Sequence, residues 1–171
     1  PSIKLLMENS HLLRFSSERR ISPGVNWLLN LGLSHYQIAK VLSRYPQILG
    51  LSVRKNLQPT VRWFMDLGLT KSQVVKAVAT SPQILGCSLE QNLKPTVQWL
   101  LDLGLTKSQV AKAVADHPPI LWLSMEQNLQ PTVQWFLDLG LSNTDIAKGV
   151  ASYPRMLGLR SEEHTSELQS R

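Results

Sequence analysis

Cysteine occurs once in the 171 residues, at Cys87, so neither an internal disulfide framework nor a cysteine-based metal site can form. A lone thiol fits a reducing compartment. Long apolar runs are missing as well. Nothing approaches the roughly 18–20 consecutive apolar residues that a bilayer-spanning helix needs, which excludes a membrane helix. The nine glycines stand apart from one another, so there is no glycine-rich loop to cradle a phosphate. The histidines (His11, His35, His117, His164) fall in four different repeat columns and show neither metal-ligand spacing nor a nucleophile partner. These absences argue against an enzyme and call for no metal, cofactor or small-molecule substrate. Acidic residues are in short supply: 12 Asp and Glu stand against 18 Lys and Arg, a net charge of +6. The resulting pI near 9.7 favours an anionic partner.

What is present is a repeat. Apolar residues make up 43% and charged residues 18%, a balance that suits a folded chain. Within it the triplet Leu-Gly-Leu recurs with its glycine at Gly32, Gly68, Gly104 and Gly140, every 36 residues. Trp27, Trp63, Trp99 and Trp135 keep the same interval, as do Pro46, Pro82, Pro118 and Pro154. A second proline column runs through Pro23, Pro59, Pro95 and Pro131. Residues 67–102 and 103–138 agree at 27 of 36 positions. The register places one helical repeat domain over 1–159, with units near 31–66, 67–102 and 103–138 between partial repeats. Because Pro1 falls inside a repeat, the chain is expected to be a fragment or processed form. Residues 160–171 contain no repeat column and resemble translated adapter sequence, so they are left out of the functional reading.

Each unit reads as two helices and a short turn. Thr70-Lys71-Ser72-Gln73 has the form of a capping box, repeated at Ser34…Gln37 and Thr106…Gln109 and, with aspartate, at Ser142…Asp145. The spacing predicts a helix over 71–80 that buries Val74, Val75, Ala77 and Val78 and exposes Gln73, Lys76 and Thr80. Pro82 ends it and opens a single 3₁₀ turn. A second helix is expected from an Asn92 N-cap, with Pro95 in its first turn and Gly104 just past its end. Asp102 near that end is unfavourable for the helix dipole and is expected to contact the next unit, as are Asp66 and Asp138. Cys87 shares a column with leucines and reads as a small core residue. The tryptophans read as packing between repeats rather than as base-stacking platforms. Two helices cannot bury their apolar faces alone, so the units must stack into an all-α helical-repeat solenoid.

One polar column recurs in every unit: Lys4, Lys40, Lys76, Lys112 and Lys148. Lys71 and Lys107 form a shorter one on the same helix. Ammonium groups in register suit a polyanionic backbone, where each neutralised phosphate releases counterions. Lysine is equally a good solvated helix former, and copied repeats carry copied lysines. The excess charge is concentrated in residues 1–56, at +6, with only +1 over 57–159. Arg44, Arg54 and Lys55 therefore join the candidate contacts, strongest toward the N-terminal end.

The string Pro82-Gln83-Ile84-Leu85-Gly86, Ser88, Asn92-Leu93-Lys94-Pro95, Trp99-Leu100-Leu101 and Leu103-Gly104-Leu105 resembles the proline-led repeat of the mitochondrial transcription termination factor (mTERF) family, and it recurs over 10–159. That resemblance implies two α-helices plus a 3₁₀ helix per unit, wound into a left-handed superhelix with a basic concave groove. It also implies binding of DNA or RNA, including double-stranded nucleic acid, in a mitochondrion or chloroplast; the chain is expected to be a monomer. Its role would be transcription termination or regulation, or RNA or ribosome assembly. Leu69-Thr70-Lys71-Ser72-Gln73-Val74-Val75 is similar to the start of a TAL-effector repeat, which would make Thr80-Ser81 and Asp116-His117 the base-reading pairs. A protein-interaction scaffold without nucleic-acid binding is the alternative from another class.

Overall fold

The computed structural model describes residues 18–159, which are helices and connecting turns with no strand. They divide into two compact units at Cys87/Ser88. In the first, α1 (Glu18–Leu31) and α2 (His35–Arg44) are followed by a 3₁₀ turn at Pro46–Gly50, then α3 (Gln58–Leu67), α4 (Lys71–Thr80) and a 3₁₀ turn at Pro82–Leu85. In the second, α5 (Lys94–Leu103) and α6 (Lys107–Asp116) lead to the turn Pro118–Trp122. There α7 (Gln130–Asp138), α8 (Asn143–Ser152) and the turn Pro154–Gly158 complete the repeat.

All four expected capping boxes form. Thr70 Oγ1 accepts from the Gln73 amide while Gln73 Oε1 accepts from the Thr70 amide, and the pairs at Ser34, Thr106 and Ser142 match it. The other helix of each unit ends as expected too. Gly68 and Gly104 adopt φ of +118°, a backbone that glycine alone enters without a Cβ clash.

The start of the second helix differs from the expectation. Its N-cap is Ser88, not Asn92: Ser88 Oγ accepts from the Gln91 amide, and Asn92 Oδ1 accepts from the Ser88 amide. Ser52 with Asn56 and Ser124 with Asn128 repeat this arrangement. A wide π-type turn (Val53–Leu57, Leu89–Leu93, Met125–Leu129) then runs directly into α3, α5 and α7. Proline supplies the reason. Pro95 lies in the body of this longer helix, where its ring would strike the carbonyl four residues back. Bonding from Leu93 to Ser88 and from Lys94 to Leu89, five residues apart, opens the turn and avoids the clash.

The apolar stripes close the core. On α4, Val74, Ala77 and Val78 are buried and Lys76 and Thr80 exposed, while Val75 and Gln73 are both half-buried rather than buried and exposed as expected. In the first unit α2 packs beside α4, with Ile38, Val41 and Leu42 buried. In the second, α6 packs beside α8 in the same way, burying Val110, Val114, Ile146 and Val150. Burying each such side chain stabilises by about 1.5–3 kcal/mol, so these seams carry much of each unit's stability.

Three expectations about single residues need correction. Cys87 is half-buried rather than in the core, and its Sγ donates to the Gln83 carbonyl. The tryptophans of the repeat column (Trp27, Trp63, Trp99 and Trp135) are half-buried too; Trp63 and Trp135 tilt against Phe64 and Phe136 at the margin of the core. Asp102 and Asp138 accept from Gln98 and Gln134, one turn back on their own helices. Their partners are intrahelical amides, which offset the unfavourable dipole locally and need no neighbouring unit.

Candidate nucleic-acid interface

The helices that bear the lysine column are α2, α4, α6 and α8. Their period places Lys40, Lys76, Lys112 and Lys148 opposite the buried stripe, and all four are exposed. Lys71 and Lys107, the first residues of α4 and α6, are also exposed. Lys4 lies outside the described residues, as do the start of the repeat domain and the 160–171 segment.

In the first unit the pairing of α2 with α4 brings together Lys40, Arg44, Lys71 and Lys76. Neither helix contains an aspartate or glutamate. In the second unit the pairing of α6 with α8 collects Lys107, Lys112 and Lys148, but Asp116 and Asp145 accompany them. The Asp145 carboxyl is held below the usual carboxylate range, chiefly by its hydrogen bonds from the Ser142 hydroxyl and amide. It therefore stays ionised near neutral pH and opposes an incoming phosphate.

Two of the first unit's cations already have partners. The Arg44 guanidinium donates to the Thr80 carbonyl at 3.1 Å, capping the end of the neighbouring helix α4. Lys40 Nζ sits 4.6 Å from the centre of the Tyr36 ring, one turn back on α2. Both remain exposed, and each keeps further donors for a phosphate oxygen. Arg54 and Lys55 are separated from this group. They are exposed on the wide turn ahead of α3, which packs near α1 rather than on the α2–α4 seam.

Tyr36 was not among the sequence candidates. It is 66% exposed, beside the cations, in a column otherwise filled by Ser72, Ser108 and Thr144. The break in its column was the available signal. Of the pairs that would read bases in a TAL-effector array, Ser81 is only 7% exposed, which removes its side chain from base contact. His117 is half-buried, and burial together with the nearby Arg155 charge lowers its pKa. Among the described residues no group of three or more His, Cys, Asp or Glu side chains is placed to hold a metal ion.

Comparison with known proteins agrees with the repeat. The family model described as mTERF matches residues 2–130 and 97–170. No curated protein matches the chain.

Proposed function

The chain belongs to the mTERF family of helical-repeat solenoids, and from that premise we propose that it binds nucleic acid through the exposed faces of α2 and α4. One observation carries this reading: four exposed cations share two adjacent helices that hold no carboxylate. A phosphate backbone meets attraction there without the like-charge penalty that Asp116 and Asp145 impose on the second unit. Contacts of this kind position a strand and add affinity without reading bases. Lys40, Lys71 and Lys76 supply the principal contacts and Arg44 a further one. Lys107, Lys112 and Lys148 form a weaker extension, and Arg54 with Lys55 a separate patch.

The same reading makes this a binding protein rather than an enzyme. It acts in mitochondrial or chloroplast gene expression, in transcription termination or regulation or in RNA or ribosome assembly. Fluorescence anisotropy at low salt with labelled DNA and RNA, as duplexes and as single strands, tests the binding. We expect saturable binding to at least one of them, weakened by added salt. Failure to bind any of the four at low salt would leave the protein-scaffold reading in its place. A fluorescent fusion of the complete coding sequence that stayed outside both organelles would remove the assigned compartment.

A further inference from the structure

Repeats that copy one another supply their own comparison. The lysine-bearing helices begin with Lys71-Ser72 on α4, Lys107-Ser108 on α6 and Asn143-Thr144 on α8. On α2 the same two positions hold His35-Tyr36, a pair of rings. All eight residues are exposed, in the middle of the chain as well as near its ends. The place therefore faces solvent in every repeat, and the 66% exposure of Tyr36 does not depend on where the described residues begin. Serine or threonine fills it elsewhere, so the tyrosine ring is not needed to close the core.

The ring has a defined setting. Lys40 Nζ lies 4.6 Å from its centre, over one face, and leaves the opposite face open to solvent. Lys40 is also one of the cations on α2 and α4, two helices without a carboxylate. A flat aromatic surface and a phosphate-binding group thus stand one helical turn apart. A nucleotide presents the matching pair, a flat base and a phosphate. A base inside a duplex is stacked on both faces, so it reaches a side chain only after it is unpaired and unstacked. A base in a single strand turns outward at much lower cost and stacks on an aromatic side chain.

We propose that the α2–α4 face takes single-stranded nucleic acid, with one base stacked on the open face of Tyr36 and the adjoining phosphates on Lys40, Lys71 and Lys76. This rests on the nucleic-acid reading above and narrows it, setting a single strand ahead of the duplex that the family resemblance implies. Every base has a π-face, so the contact favours no particular sequence.

Binding of the whole chain to DNA and RNA single strands, and to duplexes of the same sequences, tests this. Tyr36→Ser installs the residue found at Ser72 and Ser108. It should weaken single-strand binding about tenfold and leave duplex binding unchanged. The salt slope should stay that of the unmodified chain, because no cation is lost. Tyr36→Phe keeps the ring and should bind single strands as the unmodified chain does. Irradiating the unmodified chain with a single strand that carries iodouracil at every base should place a crosslink on Tyr36, read by peptide mass spectrometry. That arm needs no substitution. A Tyr36→Ser chain that binds single strands like the unmodified one overturns the proposal, and so does an equal loss for single strand and duplex. Crosslinks that avoid Tyr36 do the same. An unmodified chain that binds none of these nucleic acids removes the underlying nucleic-acid reading, and this proposal with it.

Discussion

His117 occupies the column of Tyr45, Ser81 and Tyr153, at the C-cap of α6. Burial, and after it the Arg155 guanidinium, disfavours the imidazolium and pulls its pKa below the ordinary value of about 6.5. Between the ordinary and the lowered value the unfolded chain binds a proton that the folded chain refuses. Its stability contribution is therefore fully present above the ordinary pKa and is lost as pH falls through that window. Urea unfolding should show a lower midpoint near pH 5.5 than near pH 7.5. His117→Ser, which installs the residue found at Ser81, should reduce that drop; an unchanged drop would mean that another group causes it. Gly86 gives a second residue-level test. Gly86→Ala drives a methyl into the Tyr45 ring and should cost about 1–3 kcal/mol. In a Tyr45→Ser background the same change should cost less than half as much, and equal costs would show that ring and glycine are not in contact. The sequence displayed both columns, but not that a tyrosine reaches the glycine 41 positions further on. Such a pairing joins consecutive repeats and depends on how they stack.

At the scale of the element, most boundaries were legible because capping is local chemistry. The boxes at Ser34, Thr70, Thr106 and Ser142 need only hydrogen-bonding residues three apart, and each formed where the spacing put it. The start of the second helix is not legible in the sequence, for a definable reason. Asn92 followed by Pro95 satisfies the usual pattern of a helix start, and so does Ser88 with its partner Asn92. Only the widened turn allows the longer helix, because it carries the proline past the carbonyl that it would otherwise strike. Ser88→Ala should destabilise by about 1 kcal/mol. A double-mutant cycle between Ser88 and Asn92 should reveal favourable coupling, since Ser88 Oγ holds the Gln91 amide and Asn92 Oδ1 holds the Ser88 amide within the same turn. Additive effects, measured from urea midpoints, would return Asn92 to the role of an independent N-cap. Arg44 shows a limit of another kind. Its charge was legible, but its bond to the Thr80 carbonyl depends on α2 lying beside α4.

Across the whole molecule the lysine column is regular while its surroundings are not. Every repeat supplies a lysine, yet of the four helices that carry the column only α6 and α8 also hold aspartates, so the α2–α4 face is the more positive one. The imbalance was visible in the sequence as an N-terminal charge excess. The structure adds that Lys40, Arg44, Lys71 and Lys76 share two adjacent helices while Arg54 and Lys55 stand apart. Removing Lys112 and Lys148 should therefore weaken nucleic-acid binding less than removing Lys40 and Lys76. The most direct test is the salt dependence of binding for the unmodified chain and for the Lys40→Gln/Lys76→Gln double variant. If these side chains neutralise phosphates, the slope of log K against log salt should become shallower by about 2 in the variant. A variant with the slope and affinity of the unmodified chain would contradict the assignment of the α2–α4 face.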